Sequence, residues 1–471
     1  MCSRIEARRN EQFNDPHFEH HLWPTGQQPE SHALLHSDDS RKVRSPMNDP
    51  AKSAFRTITG ADKGDIRRGE ARNGLVHVAS LTLTKTADAL IDPKLVLSWL
   101  LTALAAPGAM VGLLVPVREA GALLPQLALT RRVEASTQRK RFWALGSAVQ
   151  GLAALGMAGA ALLLSGAVAG GAIVACLAVL AVARSAASVS YKDALARTIA
   201  KQRRGAITGL AASVASISVL VVGLLMAAGL FEVAVAPLAA IIAVAGAAFL
   251  LAALLFLTLR EPDRDNENEA DDGALADLIA PIVTDRQLRL FVASRAALAV
   301  TALAPPFIVM LSAASGRTAL DQLGPLVIAS TAASVMASYV WGRLSDRSSR
   351  QTLMAAGALG AVIFAVVGAV GLVLNGLGGT LGAAAAIFAA QIAYEGVRAG
   401  RKLHLTDMAE EAFRARYTAL SNTLIGLALL AGGLFGLAAD RFGQAPVLLA
   451  FAVIAALGAG LAAGLEEVQR E

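Results

Sequence analysis

The sequence predicts an all-α polytopic membrane protein. Hydrophobic residues make up 55% of the 471 residues and charged residues only 17%, with a mean hydropathy of +0.54. Such a chain is too apolar for a series of soluble domains. The apolar residues also form blocks of about twenty without a charge, the length that a helix needs to cross a hydrocarbon layer roughly 30 Å thick.

Twelve apolar blocks follow one another from Gly74 onward, and a polar stretch divides them into six and six. They run roughly over 75–103, 108–130, 142–164, 168–190, 206–229 and 234–258, and then over 290–312, 322–342, 352–374, 378–398, 418–438 and 446–466. The dividing stretch, 260–289, is acidic and nearly without apolar residues, as is typical of a solvated linker. We therefore predict one six-helix bundle over 74–259 and a second over 290–471.

The first 73 residues are polar and lack apolar periodicity, so they are expected to form a disordered tail. Five of the seven histidines lie in this tail, but no cysteine or carboxylate spacing organises them into a metal site. No metal ion is therefore expected. Met47 is an alternative start of translation, which would leave the first 46 residues outside the native protein.

Basic residues concentrate in alternate loops and predict the orientation of the chain. They follow blocks two, four, eight and ten and are Arg131, Arg132, Arg139, Lys140, Arg141, Lys192, Arg197, Lys201, Arg203, Arg204, Arg343, Arg347, Arg350, Arg401, Lys402, Arg414 and Arg416. Because Lys and Arg are retained on the cytoplasmic side, both termini and the linker should be cytoplasmic, in a bacterial inner membrane. The bases do not form one continuous face, so nucleic acid is not an expected partner.

A charged turn joins blocks eight and nine in the segment WGRLSDRSSRQTL. It resembles the loop signature of the major facilitator superfamily, G-x-x-x-D-R-x-G-R-R, through Gly342, Asp346, Arg347 and Arg350. The resemblance implies two six-helix bundles that rock about a central site, in a secondary transporter without a cofactor or enzymatic activity. It also implies a gate, in which Asp346 approaches the amino end of the helix that begins near Gly205 when the cytoplasmic side is closed.

Internal symmetry supports a duplicated six-helix unit. Arg184 and Asp193 are nine residues apart at the end of block four, and Arg398 and Asp407 have the same separation at the end of block ten. Parallel repeats of this kind place the substrate site between the two halves near mid-membrane.

Ionisable residues inside an apolar block need a partner, a water-filled cavity or a position near the interface. Arg118 and Glu119 lie in the middle of block two between two prolines. They either face the central cavity, as substrate contacts or as a proton site, or form buried contacts that hold the helix. We favour the cavity, with Glu119 as the first candidate for the coupling proton, because adjacent residues point about 100° apart and pair poorly with each other.

Three further positions in the blocks have two interpretations each. Lys85, Asp88 and Asp92 have helical spacing, so Asp88 is either neutralised by the lysine or titrates in the translocation path. Glu395, one turn before Arg398, has the same alternatives. Arg184 resembles the arginine that the superfamily carries in its fourth helix, but an arginine extending to the interface is the favoured interpretation.

The function predicted is proton-coupled transport of a small molecule across the bilayer by a monomer. An uncoupled facilitator and a non-transporting scaffold or sensor remain alternatives, and a cavity sealed by apolar side chains would favour the scaffold. The sequence contains no Walker motif or Ser-His-Asp arrangement in its loops, which disfavours an ATP-driven pump and an enzyme. It does not identify the substrate.

Overall fold

A computed structural model describes residues 50–61, 66–67, 69–126, 138–230, 234–261, 282–313, 323–408 and 414–469, and their regular elements are helices. The α-helices are α1 (Pro50–Thr59), α2 (Glu70–Leu90), α3 (Val96–Ala103), α4 (Gly108–Leu123), α5 (Arg139–Leu163), α6 (Gly166–Thr198), α7 (Arg204–Ala227), α8 (Val235–Leu257), α9 (Arg286–Leu298), α10 (Val300–Ala313), α11 (Leu323–Arg347), α12 (Ser349–Leu374), α13 (Thr380–Met408), α14 (Arg414–Gly432), α15 (Leu434–Phe442) and α16 (Gln444–Ala463). The histidine-rich part of the tail, Met47 and most of the predicted linker lie outside the described residues.

Ten segments of the described residues are long and apolar enough to cross a membrane, and they correspond to predicted blocks three to twelve. The pairs α9–α10 and α14–α15 each contribute one of these segments. The first two blocks are shorter as helices. The first is divided into α2 and α3 by a break between Leu90 and Val96, and α4 has only 16 residues.

The predicted disordered tail is corrected at its C-terminal part, where Pro50–Thr59 forms α1. Phe55 is fully buried in a cluster with Ile199 and Ile207. A Cβ atom on Gly74 would lie 2.3 Å from the Phe55 ring, so only glycine lets the ring lie against α2. One aromatic anchor on an otherwise polar segment is enough to order this helix, because the ring gains burial that the rest of the tail lacks.

Two groups of helices pack mainly among themselves: α2–α8, here called the first half, and α9–α16, the second half. Between the halves, α4 packs against α14 and α15, and α7 packs against α11. The backbones approach each other closely at two glycines, since a Cβ on Gly112 would lie 2.5 Å from Cα of Gly436. Small residues of this kind allow backbones in a membrane to touch directly.

The two ends of the α7–α11 pair differ. We call the end that carries Arg204 and Arg347 the loop end, and the other end, where α4 begins, the opposite end. At the opposite end a Cβ on Gly223 would lie 3.0 Å from Val327. At the loop end, Cβ atoms on Gly205, Gly209 and Gly342 would have no neighbour within 4 Å. The two helices therefore diverge toward the loop end.

Candidate functional site

A cavity of about 480 Å³ lies between the two halves. Helices α2, α4, α6, α7 and the start of α3 line it from the first half, and α11 and α13 line it from the second. The six candidate residues for the substrate or proton pathway all line this cavity, namely Asp88, Arg118, Glu119, Arg184, Glu395 and Arg398. The structure thus brings together charges that are far apart in the sequence.

The break between α2 and α3 forms part of the cavity wall. Pro93 cannot donate a helical hydrogen bond and disfavours helical backbone at the residue before it. The Asp92 carboxylate accepts hydrogen bonds from the backbone amides of Lys94 at 3.2 Å and Leu95 at 3.0 Å. The prediction that Asp92 shares a helix face with Asp88 is therefore wrong, because α2 ends at Leu90, before Asp92. It satisfies free amides where α3 begins.

Asp88 joins two arginines of the first half. Nη2 of Arg118 donates to its Oδ1 at 2.6 Å, and Nη1 of Arg184 donates to its Oδ2. The favoured prediction that Arg184 extends to the interface is therefore wrong: a fixed carboxylate in the cavity holds its guanidinium group. The hydrogen-bond partners of Asp88 are these arginines rather than Lys85, one turn away.

Glu395 forms a second cluster, on α13. Nη1 of Arg398 donates to both carboxylate oxygens at 3.2 Å, and Nε2 of Gln391 donates to Oε1 at 3.1 Å. Nε2 of Gln391 also contacts the hydroxyl of Ser334 on α11 at 2.9 Å. The Glu395 side chain is only 9% exposed, whereas that of Arg398 is 58% exposed.

Glu119 differs from the other carboxylates of the cavity. It is half-buried and accepts no hydrogen bond from the described residues. Arg401 of α13 and Lys94 are among the cations that interact with it electrostatically without a hydrogen bond. Nζ of Lys94 in turn lies 3.1 Å from the ring centroid of Tyr394, a cation–π contact between the halves.

Arg295 on α9 is a buried cation that the sequence interpretation did not single out. It is 8% exposed and donates to the Ser421 hydroxyl at 2.7 Å and to the Asn422 side chain at 3.1 Å. Asn422 also reaches Gln126 of the first half at 3.3 Å. An arginine inside an apolar block, near its start, was the available signal, by the same reasoning that found Arg118.

The residues that resemble the superfamily's loop signature lie at the end of α11, which carries Gly342, Asp346 and Arg347, and in the first turn of α12, which carries Arg350. Helix α11 continues through Gly342 to Arg347, and only Ser348 separates it from α12, whose Gln351 amide donates to the Ser348 hydroxyl at 3.0 Å. Arg350 donates to the carbonyl of Ala463 at 2.9 Å. Asp346 and Arg347 are exposed, and within the described residues no hydrogen bond joins Asp346 to the first turn of α7. This fits a conformation in which the loop end is open.

Comparison with known proteins assigns the fold to a family. The sequence matches the Major Facilitator Superfamily over residues 80–432, which is most of the chain. The chain belongs to this superfamily of membrane transporters. A search of curated proteins with the sequence finds no match. The family and its structural neighbours are transporters.

Solved structures share the fold of this superfamily member at low sequence identity. A single-residue mutant of the nucleoside transporter NupG superposes with a TM-score of 0.66 at 13% identity, covering 83% of this chain and 99% of that one. The xylose transporter XylE from E. coli, in an inward open conformation, gives 0.60 at 14% identity, covering 84% and 97%. A POT family transporter in complex with a thioalcohol conjugated peptide gives 0.63 at 9% identity, covering 82% and 94%. These similarities concern the fold, and the substrates of those proteins differ from one another.

Proposed function

We propose that this transporter is a secondary active transporter that moves a small solute by alternating access and couples the movement to protons. The observation that carries the proposal is the charged cavity of about 480 Å³ between the halves. Charged groups inside a membrane are costly and mark substrate or ion pathways. A non-transporting scaffold with a cavity sealed by apolar side chains does not fit this lining.

Alternating access is supported by the contrast between the two ends. At the opposite end, the Asp440 carboxylate accepts hydrogen bonds from the amides of Gly108 at 2.7 Å and Ala109 at 2.8 Å, at the start of α4. The carboxylate thus holds the second half to a helix N-terminus of the first half, where negative charge is favoured. Closing the loop end and releasing this contact would expose the cavity to the other side of the membrane.

Proton coupling is assigned to Glu119. The carboxylates of Asp88 and Glu395 accept hydrogen bonds from arginines, and that of Asp92 accepts them from backbone amides. Protonating any of these would sacrifice contacts to the charged form. Glu119 has no such hydrogen bond within the described residues, so it can gain and lose a proton without breaking one.

The proposed topology retains the sequence prediction. The six-helix bundles extend over 74–259 and 290–471, joined by a cytoplasmic linker at 260–289, with both termini cytoplasmic. The loop end is then the cytoplasmic end. Reporters fused after residue 265 and at the C-terminus should both read cytoplasmic, and a periplasmic signal at either point would reverse the orientation.

The experiment is solute accumulation in sealed vesicles with an imposed proton gradient, using a panel of small molecules. The wild type should accumulate at least one solute above equilibrium. Glu119→Gln should abolish accumulation but leave counterflow exchange, whereas Glu466→Gln, at an exposed position outside the cavity, should behave as the wild type. Accumulation that survives Glu119→Gln would move the coupling to Asp88 or Glu395. Equal fluxes with and without the gradient would establish the uncoupled facilitator instead.

A further inference from the structure

Two arginines of the cavity, Arg184 and Arg398, are more exposed than the carboxylates with which they pair. The Arg184 side chain is 40% exposed and that of its partner Asp88 is 22% exposed. The contrast is larger in the second half, where Arg398 is 58% and Glu395 is 9% exposed. A solute entering the cavity therefore meets the guanidinium groups of Arg184 and Arg398 more readily than the carboxylates of Asp88 and Glu395.

Both guanidinium groups retain binding capacity. Arg184 and Arg398 each donate from Nη1 only, so Nε and Nη2 have no hydrogen-bond partner in the described part of the chain. Lys85 is exposed in the same cavity and lies within electrostatic range of both arginines. Two unused N–H groups on a planar guanidinium match the geometry of a carboxylate or phosphate.

The charge of the lining favours the same ligand. Five cations line the cavity, Lys85, Lys94, Arg118, Arg184 and Arg398, against four carboxylates, Asp88, Asp92, Glu119 and Glu395. The lining thus carries a formal charge of +1, which a proton on Glu119 would raise to +2. A bound anion would offset this charge, and its binding would be strengthened by the proton that the proposed coupling supplies.

The rest of the lining disfavours flat aromatic or sugar-like solutes. Tyr394 is the aromatic residue of the lining, and Lys94 already covers its ring. The α7 and α11 walls offer small and apolar side chains with a few hydroxyls, including Ala212, Ser216 and Val219. This surface suits a short hydrocarbon body rather than a ring that requires stacking.

We propose that the cavity binds a small organic anion, whose carboxylate, phosphate or sulfonate group lies between Arg184 of the first half and Arg398 of the second. The inference rests on the proposed transport function and specifies its substrate class. An anion held by one arginine from each half would also connect the two halves. Their relative movement would carry the anion across the membrane.

Thermal unfolding of the purified protein with size-matched ligands tests the substrate class, because a ligand that binds the folded state raises its stability. The probes are succinate, succinamide and 1,4-diaminobutane, with glycerol 3-phosphate and glycerol as a second set. Stabilisation should be confined to the anions. Stabilisation by the neutral or cationic members, or by none of the five, would overturn the proposal.

Variants test the two arginines. Arg184→Gln and Arg398→Gln should each weaken binding of the stabilising anion by about ten- to a hundredfold, the effect expected for loss of a charged hydrogen bond. Arg398→Lys should restore part of the binding, and Arg343→Gln, at an exposed position outside the cavity lining, should have no effect. Unchanged affinity in folded Arg184→Gln and Arg398→Gln would remove both residues from the site.

Flux measurements with the same probes separate this inference from the proposed function. Transport of neutral or cationic members alone would overturn the substrate class and leave transport intact. Stabilisation by anions without flux of any member in sealed vesicles would support the anion site and contradict the transport function.

Discussion

The contact between Asp440 and the start of α4 should bias the conformational equilibrium. It consists of two hydrogen bonds from helix N-terminal amides to an exposed carboxylate, 2.7 and 2.8 Å long, and it joins the two halves at the opposite end only. Removing such a cap costs about 1 kcal/mol. Because the contact breaks when that end opens, Asp440→Ala should raise the ratio of opposite-end-open to opposite-end-closed protein about fivefold.

Labelling of a single cysteine measures this ratio. Val327 is 9% exposed and packs near Gly223 of the first half, so a cysteine at 327, after Cys2 and Cys176 are replaced by alanine, should react slowly with an impermeant maleimide. In Asp440→Ala the rate should rise several-fold. Asp440→Asn should have a smaller effect, since the amide keeps one acceptor oxygen.

A matched variant distinguishes a shift in the open–closed equilibrium from a loss of stability of the fold. Asp285 also caps a helix, accepting from the amides of Gln287 at 2.8 Å and Leu288 at 3.1 Å, but it does so within the second half. Asp285→Ala should lower the thermal midpoint without changing labelling at position 327. If Asp440→Ala gives that same pattern, its contact anchors the fold and does not control the equilibrium.

Three further predictions concern the other gate, the glycine contact and a partly buried carboxylate. Asp346→Asn should slow transport and increase labelling of a cavity cysteine from the loop end, with substrate affinity unchanged within a few-fold; reduced protein yield with unchanged labelling would indicate a folding role. Gly112→Ala should hinder closure of the opposite end, because its Cβ would lie 2.5 Å from Cα of Gly436, and a normal transport rate would show that the halves need not touch there. Burial raises the pKa of the Glu261 carboxyl, which follows α8, so the folded protein favours the protonated form of this group. The stabilisation that results is present below the pKa of the unfolded chain and is lost as pH rises through the higher pKa of the folded state. Glu261→Gln should therefore raise the thermal midpoint relative to the wild type near pH 8 and have little effect near pH 4, and an equal difference at both pH values would contradict this assignment.

The length and spacing of the apolar blocks predicted the helical fold. The cost of placing charge in a membrane pointed to residues that line the cavity. The six proposed residues could be found because each interrupts an apolar block. The pairing of Glu395 with Arg398, one turn away, could be anticipated, whereas the partners of Asp88 could not, since they are arginines 30 and 96 positions away. Arg184 has an apolar stem long enough to reach either the interface or the cavity, and only packing decides between them.

Other differences arise where local signals compete. The spacing of Lys85, Asp88 and Asp92 predicted one continuous helix, whereas Pro93 imposes a break that the Asp92 cap stabilises. Phe55 orders α1, because burial of its ring stabilises a segment whose composition is otherwise polar. Gly342 suggested the end of a helix, but α11 continues to Arg347, because a glycine inside a helix costs only about 1 kcal/mol.

The most direct test of alternating access is a reversible cross-link at the opposite end. A Cβ on Gly223 would lie 3.5 Å from Cβ of Val327, within the range that a disulfide requires. In a background without other cysteines, Gly223→Cys with Val327→Cys should form a disulfide that stops transport, and a reductant should restore it. Full transport by the cross-linked protein would show that the halves need not separate there, and would contradict alternating access.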